Sequence, residues 1–248
     1  MIVVITGATS GFGAAITHRF AGQGHRIVAI GRRAERLDAL RQSLGDCILP
    51  LPLDVTDRDA VCAAIATLPT EFAAVDILVN NAGLALGLEP AHRASLDDWD
   101  AMIDTNAKGL VYVTHTLLPG MVERDRGHVI NMGSVAATYP YPGGKVYGAT
   151  KAFVRQFSLN LRADLAGTRV RVTDIEPGME GGSEFSTVRF GGDEERARKL
   201  YDGADPLLPE DIADTVEWVA LRPSRVNINT IEMMPVSQTF GPLPIFRR

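Results

Sequence analysis

The chain has 248 residues, 46% of them hydrophobic, and a formal net charge of −5. That suits one domain spanning 1–248 with a sizeable core, and it argues against a nucleic-acid or anionic-membrane partner. Two cysteines and five scattered histidines, with no HxxxH or HxH pair, supply neither a disulfide framework nor a metal site.

Strand and helix patterns alternate along the whole chain. Residues 2–6 read as a strand and 11–24 as a helix. Residues 26–31 form the next strand, and 34–44 a helix that Gly45 can cap. The strand at 47–53 contains Pro50 and Pro52, which leaves its path open. A helix follows at 57–68 with Asp57 as N-cap, then a strand at 76–80. A long helical region covers 96–124 with an interruption near 105–109, before a strand at 128–132. The remaining elements are a helix at 144–165, a strand at 169–175, a helix at 209–221 and a strand at 227–233. The alternation predicts an α/β fold, a doubly wound parallel sheet of Rossmann type with helices on both faces. The Gly-rich, charged stretch 179–204 interrupts it after a strand end and reads as a substrate lid. No apolar run approaches the roughly 18 residues of a membrane span. The chain opens directly on strand-like sequence, so the expected setting is the cytoplasm.

The first strand runs into Thr6-Gly-Ala-Thr-Ser-Gly-Phe-Gly13. Gly7 permits a tight turn, Gly11 lets backbone approach a pyrophosphate, and Gly13 lets helix and strand pack closely. Thr9 and Ser10 add hydroxyl donors, and Phe12 lies between the last two glycines. The spacing is GxxxGxG, so the strand–turn–helix context carries the reading of a dinucleotide site. The second strand ends Gly31-Arg32-Arg33, where an NAD site would place a carboxylate. Two guanidinium groups there suit a 2′-phosphate and favour NADP. Asp54 and Val55 follow the third strand; Asp54 either accepts from an adenine amine or caps a turn. Asn81-Ala82-Gly83 leave room for the adenosine ribose at the end of the fourth strand.

Tyr147 and Lys151 stand four residues apart, on one face of a helix. A phenol is a poor acid or base at neutral pH, and an ammonium one turn away would lower its pKa. Ser134, after the 128–132 strand, is placed to polarise a substrate carbonyl. Asn106, a weak helix former inside a helical region, either anchors a relay water or bonds to backbone.

With these motifs in order, the chain resembles the classical short-chain dehydrogenase/reductase family over essentially its whole length. Pro177-Gly178 belongs to the same set. The resemblance implies a seven-stranded Rossmann sheet and a homotetramer. It implies Tyr147 as general acid/base, Lys151 as its activator and ribose ligand, Ser134 as substrate orienter and Asn106 in proton relay. Residues 1–13, 31–33, 81–91, 147–162 and 227–235 resemble a narrower group, the NADP-dependent 3-hydroxy acid dehydrogenases. These are also known as serine/allo-threonine dehydrogenases and malonic semialdehyde reductases. The chain departs from the family in one place. Gly182 stands where many members have a threonine that bonds the nicotinamide carboxamide, and Ser183 or backbone groups are expected to substitute. Glu180 adds negative charge where an acidic substrate would enter.

The leading expectation is hydride transfer between NADP(H) and a short 3-hydroxy or 3-oxo acid, with Arg189 of the lid binding the carboxylate. A reductase of 3-oxoacyl thioesters or neutral ketones is the alternative within the class. A non-catalytic NADP(H)-sensing protein is the alternative outside it.

Overall fold

The computed structural model describes residues 1–240; residues 241–248 of the expected domain lie outside the described residues. A parallel sheet runs through the centre in the order β3-β2-β1-β4-β5-β6-β7. The strands are β1 (Ile2–Thr6), β2 (Arg26–Gly31), β3 (Ile48–Pro52), β4 (Ile77–Asn80), β5 (Gly127–Met132), β6 (Val170–Pro177) and β7 (Thr230–Met233). Central strands are apolar on both faces because both faces are covered. In β1, Val3 and Ile5 enter one core while Val4 enters the other. The first core is closed by α1 (Gly11–Gly22), α2 (Ala34–Leu44) and α10 (Pro209–Ala220), through Phe20, Leu37 and Val216.

The second core lies under α3 (Arg58–Ala66), the short α4 (Thr70–Ala73), α6 (Leu110–Glu123) and α7 (Lys145–Asp164). Between β4 and α6 stands α5 (Leu96–Ile103), and two short helices, α8 (Phe185–Arg189) and α9 (Glu194–Lys199), follow β6. No helix among the described residues is long and apolar enough to cross a membrane.

Several local expectations hold. Asp57 caps α3 by accepting from the Ala60 N–H at 3.0 Å, and Gly45 ends α2 with φ of 81°. The strand with Pro50 and Pro52 pairs with β2 alone, so it is an edge strand, where a missing N–H is tolerated. The 96–124 region breaks into α5, a π-turn at Asp104–Gly109, and α6.

Two expectations need correction. The last strand begins at Thr230 rather than 227, because the Asn227 amide bonds both the N–H and the C=O of Val172 and stands in for a strand residue. The 179–204 stretch contains two helices rather than being irregular. α9 is short and highly charged and has one buried residue, Ala197, which is why its apolar period is hard to see.

Candidate active site

Strand order reverses across β1 and β4, which opens a crevice at their C-terminal ends. Thr6 ties the two strands together there. Its Oγ1 accepts from the N–H groups of Asn81 (3.0 Å) and Ala82 (2.9 Å). Asn81 Nδ2 returns the tie by donating to the carbonyls of Thr6 (2.9 Å) and Gly7 (3.2 Å). Its amide nitrogen is therefore spent on the turn and does not face a ribose. Gly7 and Gly11 have φ of 67° and 48°, and a Cβ on Gly13 would lie 2.1 Å from the Gly7 carbonyl oxygen. The turn thus needs glycine for its conformation at two positions and for packing at the third.

Above this floor lies a cleft of about 640 Å³. Of the residues expected at the site, Gly7, Thr9, Ser10, Gly11, Phe12, Arg32, Arg33, Asp54, Val55, Asn81, Ala82, Gly83, Ser134, Tyr147, Lys151, Pro177, Gly178, Ser183 and Arg189 all line it. Gly13 and Asn106 stand behind the lining. The Ser10 hydroxyl makes no capping bond at the start of α1, so it remains free for a ligand. The bare glycine turn, this hydroxyl and the two arginines at the β2 tip fit a phosphorylated dinucleotide. Asp54 Oδ1 accepts from the Thr56 N–H (2.9 Å) and hydroxyl (2.8 Å); of the two readings of this residue, its turn-capping role is the one present.

At the far end Tyr147 is half-buried beside Ser134, Lys151, Phe185 and Arg189. Lys151 Nζ lies 5.7 Å from the Tyr147 ring centroid and donates to the Met132 carbonyl at 2.7 Å. The expected lowering of the phenol pKa is not met. Burial pushes Tyr147 up to about 12, the Ser134 hydroxyl opposing, and burial lowers Lys151 to about 8. Tyr147 is therefore a protonated phenol through the neutral range. Ser134 Oγ also reaches the Pro177 carbonyl at 3.4 Å.

Asn106, in the π-turn, spends its amide on scaffold. Nδ2 donates to the Leu84 carbonyl (2.9 Å) and the Thr150 hydroxyl (3.1 Å), while Oδ1 accepts from the Leu84 N–H (2.8 Å). Of the two readings of this residue, the side chain follows the structural one.

Residues 179–204 form the roof. Arg189 Nη2 donates to the Tyr141 hydroxyl at 2.6 Å, its guanidinium lies 5.7 Å from the Tyr147 ring centroid, and its buried Nε has no partner among the described residues. Gly182 has φ of 74°, a conformation that β-branched residues avoid, which explains the absence of threonine there. Ser183 bonds Glu180 Oε1 at 2.8 Å and lies against Gly11. Burial pushes the Glu180 carboxyl up to about 7, so its negative charge is partly relieved at neutral pH.

The comparisons with known proteins agree with this geometry. The family model for short chain dehydrogenase matches residues 1–187. The chain belongs to the short-chain dehydrogenase family. It is 62% identical, over all of both chains, to the NADP-dependent 3-hydroxy acid dehydrogenase YdfG of Salmonella typhi. It is 54% identical to the serine 3-dehydrogenase of Rhizobium radiobacter, over 99% of this chain and 98% of that one. A solved structure described as the closed form of serine dehydrogenase complexed with NADP+ superposes with a TM-score of 0.99 at 60% identity, covering all of both chains.

Motif reading does not reach several residues of this short-chain dehydrogenase cleft. Tyr141, Phe185 and Tyr201 close it over Tyr147. Gln238 Oε1 accepts from the Met179 N–H at 2.7 Å. Beneath the Gly133-Ser134 turn lie two buried carboxyls, Asp174 and Glu176, on one face of β6. Among the described residues no hydrogen-bond donor reaches them; Arg155 Nε approaches Glu176 at 3.6 Å. Burial raises both, and Glu176 raises Asp174 further.

Proposed function

We propose that this chain transfers a hydride between NADP(H) and a short 3-hydroxy or 3-oxo acid of the serine, allo-threonine or 3-hydroxypropionate type. The observation that carries the substrate class is Arg189, a guanidinium with an unpartnered donor directly over Tyr147. A carboxylate bonded there would set a carbonyl two carbons away against the phenol and Ser134. Relatives at 62% and 54% identity are named for a 3-hydroxy acid and for serine, which supports this substrate class.

In reduction, Tyr147 gives its proton to the substrate oxygen; burial by itself makes the phenol a weaker acid, so the transfer depends on positive charge beside it. Ser134 donates to that oxygen and orients the carbonyl. Lys151 supplies the positive charge that makes the phenolate bearable once the proton has left. The nicotinamide, when bound, supplies or accepts the hydride. Gly7, Gly11 and Ser10 hold the pyrophosphate in this reading, and Arg32 and Arg33 the 2′-phosphate. Pro177, Gly178 and Ser183 flank the nicotinamide. Asn106 acts in relay through its backbone alone, since its amide is committed.

The same proposal takes residues 1–248 as one catalytic domain and 179–204 as its lid. It takes the protein as a cytoplasmic homotetramer. Exposed Leu96 and Ile103 on α5 and Phe153 and Leu159 on α7 support an assembly, which sedimentation at several concentrations would test.

The test of function is the initial rate of NADP+ reduction by L-serine, L-allo-threonine and 3-hydroxypropionate, with NAD+ in parallel. Turnover with NADP+ and little with NAD+ is expected. Turnover of thioesters or neutral ketones but no acid would overturn the substrate assignment and leave the reaction class standing.

A further inference from the structure

Glu184 stands where the roof meets the adenosine end of the cleft. Its Oε2 accepts from Arg33 Nη1 at 2.8 Å and Arg36 Nη1 at 3.0 Å. Its Oε1 accepts from Arg36 Nη2 at 2.8 Å. These partners, Arg36 foremost, hold its carboxyl down to about 2, so it is ionised throughout the neutral range. Arg33 and Arg36 do not stand alike. Arg33, at the tip of β2, lines the cleft and also approaches the Thr9 hydroxyl at 3.4 Å. Arg36 lies one turn along α2, outside the lining, and grips both oxygens of the carboxylate.

One guanidinium thus faces two anions, the roof carboxylate that holds it here and the 2′-phosphate that its position suits. We propose that Glu184 is a built-in competitor of the cofactor's 2′-phosphate, tethered by Arg36 and occupying Arg33 until the phosphate takes it. The proposal rests on the reading of Arg32 and Arg33 as phosphate ligands.

The exchange requires little movement. Glu184 immediately precedes α8, and the rest of that helix is fastened elsewhere, through Ser186 to Tyr201 and Arg189 to Tyr141. Rotation of one side chain releases Arg33 while Arg36 keeps its hold on the carboxylate, so the roof stays down. Charge sets the direction. A phosphate monoester carries about −1.5 to −2 at neutral pH and outcompetes a single carboxylate for an exposed guanidinium fork. The carboxylate nevertheless remains close, so its repulsion weakens the hold on the phosphate. A cofactor without that phosphate does not contest Arg33. Glu184 therefore moderates the NADP preference that the arginines create, and it eases departure of the spent cofactor.

The experiment is calorimetric titration of the full chain with 2′,5′-ADP and with 5′-ADP, for wild type, Glu184→Gln, Arg33→Ala and the double variant. Glu184→Gln should tighten 2′,5′-ADP about two- to fivefold, the range of one exposed ion pair, and leave 5′-ADP unchanged. The gain should shrink in high salt and vanish in the Arg33→Ala background. Glu184→Ala should repeat the gain. Unchanged or weaker binding of 2′,5′-ADP by both Glu184 variants would overturn the competitor role. Failure of the wild type to prefer 2′,5′-ADP over 5′-ADP would overturn the phosphate reading, and the proposal with it.

Discussion

The floor of the cleft is knit by two side chains that bond main chain. Thr6 and Asn81 tie β1 to β4 through five bonds to backbone groups, and Gly13 brings α1 within van der Waals reach of the turn. The roof is held by side chains from distant parts of the sequence. Glu184 reaches Arg33 and Arg36, Arg189 reaches Tyr141, and Ser186 reaches Tyr201. Short-range ties into main chain at the centre of a sheet open only with the sheet, whereas side-chain contacts between distant segments, the exposed Glu184 ion pairs above all, open locally at small cost. The floor therefore fixes where a cofactor lies, and the roof adjusts which substrate and which phosphate are held.

Variants can break that division. Tyr147→Phe should lower kcat by about 10²- to 10⁴-fold while leaving NADPH affinity and Tm close to wild type. A large drop in Tm would instead make the phenol part of the framework. Arg189→Ala, in the roof, should raise KM for acids by about 10- to 100-fold, as loss of a charged hydrogen bond does, with little change for neutral ketones. Equal rises for acids and ketones would remove its carboxylate role.

A pH profile sharpens the contrast at the catalytic end. Lys151 is depressed to about 8 by burial, so its positive charge is present below that pH and lost above it. The reduction rate should decline above about pH 8 by up to tenfold per unit, Tyr147 staying protonated, as its pKa of about 12 requires. A rate flat to pH 10 would show that Lys151 keeps its proton or is not needed. The smallest expected effect is in the floor. Thr6→Val leaves the part-buried Ala82 N–H without its acceptor, while the Asn81 N–H keeps the Val79 carbonyl, which should cost about 1–3 kcal/mol in urea unfolding. Unchanged stability would mean that the cross-ties are dispensable.

The floor is legible in the sequence because its demands are local. A positive φ at Gly7 and Gly11 calls for glycine, two apolar faces call for unbroken runs such as Ile2–Thr6, and a tyrosine and lysine four apart must share a helical face. The break in 96–124 was equally visible, since Asn106 and Gly109 are poor helix formers within one turn. The roof was legible only in outline. Glu184 and Arg36 are 148 residues apart, and nothing in either neighbourhood announces the other. Burial, too, is not written in a motif: Tyr147-xxx-Lys151 suggests an acidic phenol, and desolvation reverses the sign.

The strand order has a kinetic consequence. β1 sits between β2 and β4, with Val3 paired to Ile27 on one side and to Ile77 on the other. The first pairing closes a loop of one helix, whereas the second waits for two more crossings of the chain. Closing such a long loop is paid in entropy before any contact rewards it, so β1–β4 docking should be a late step in folding. The crevice between those two strands does not exist before that step. A nascent or thermally frayed chain would then be blind to nucleotide, and NADPH, by binding only the docked form, would act as a folding ligand for the half of the sheet that forms last.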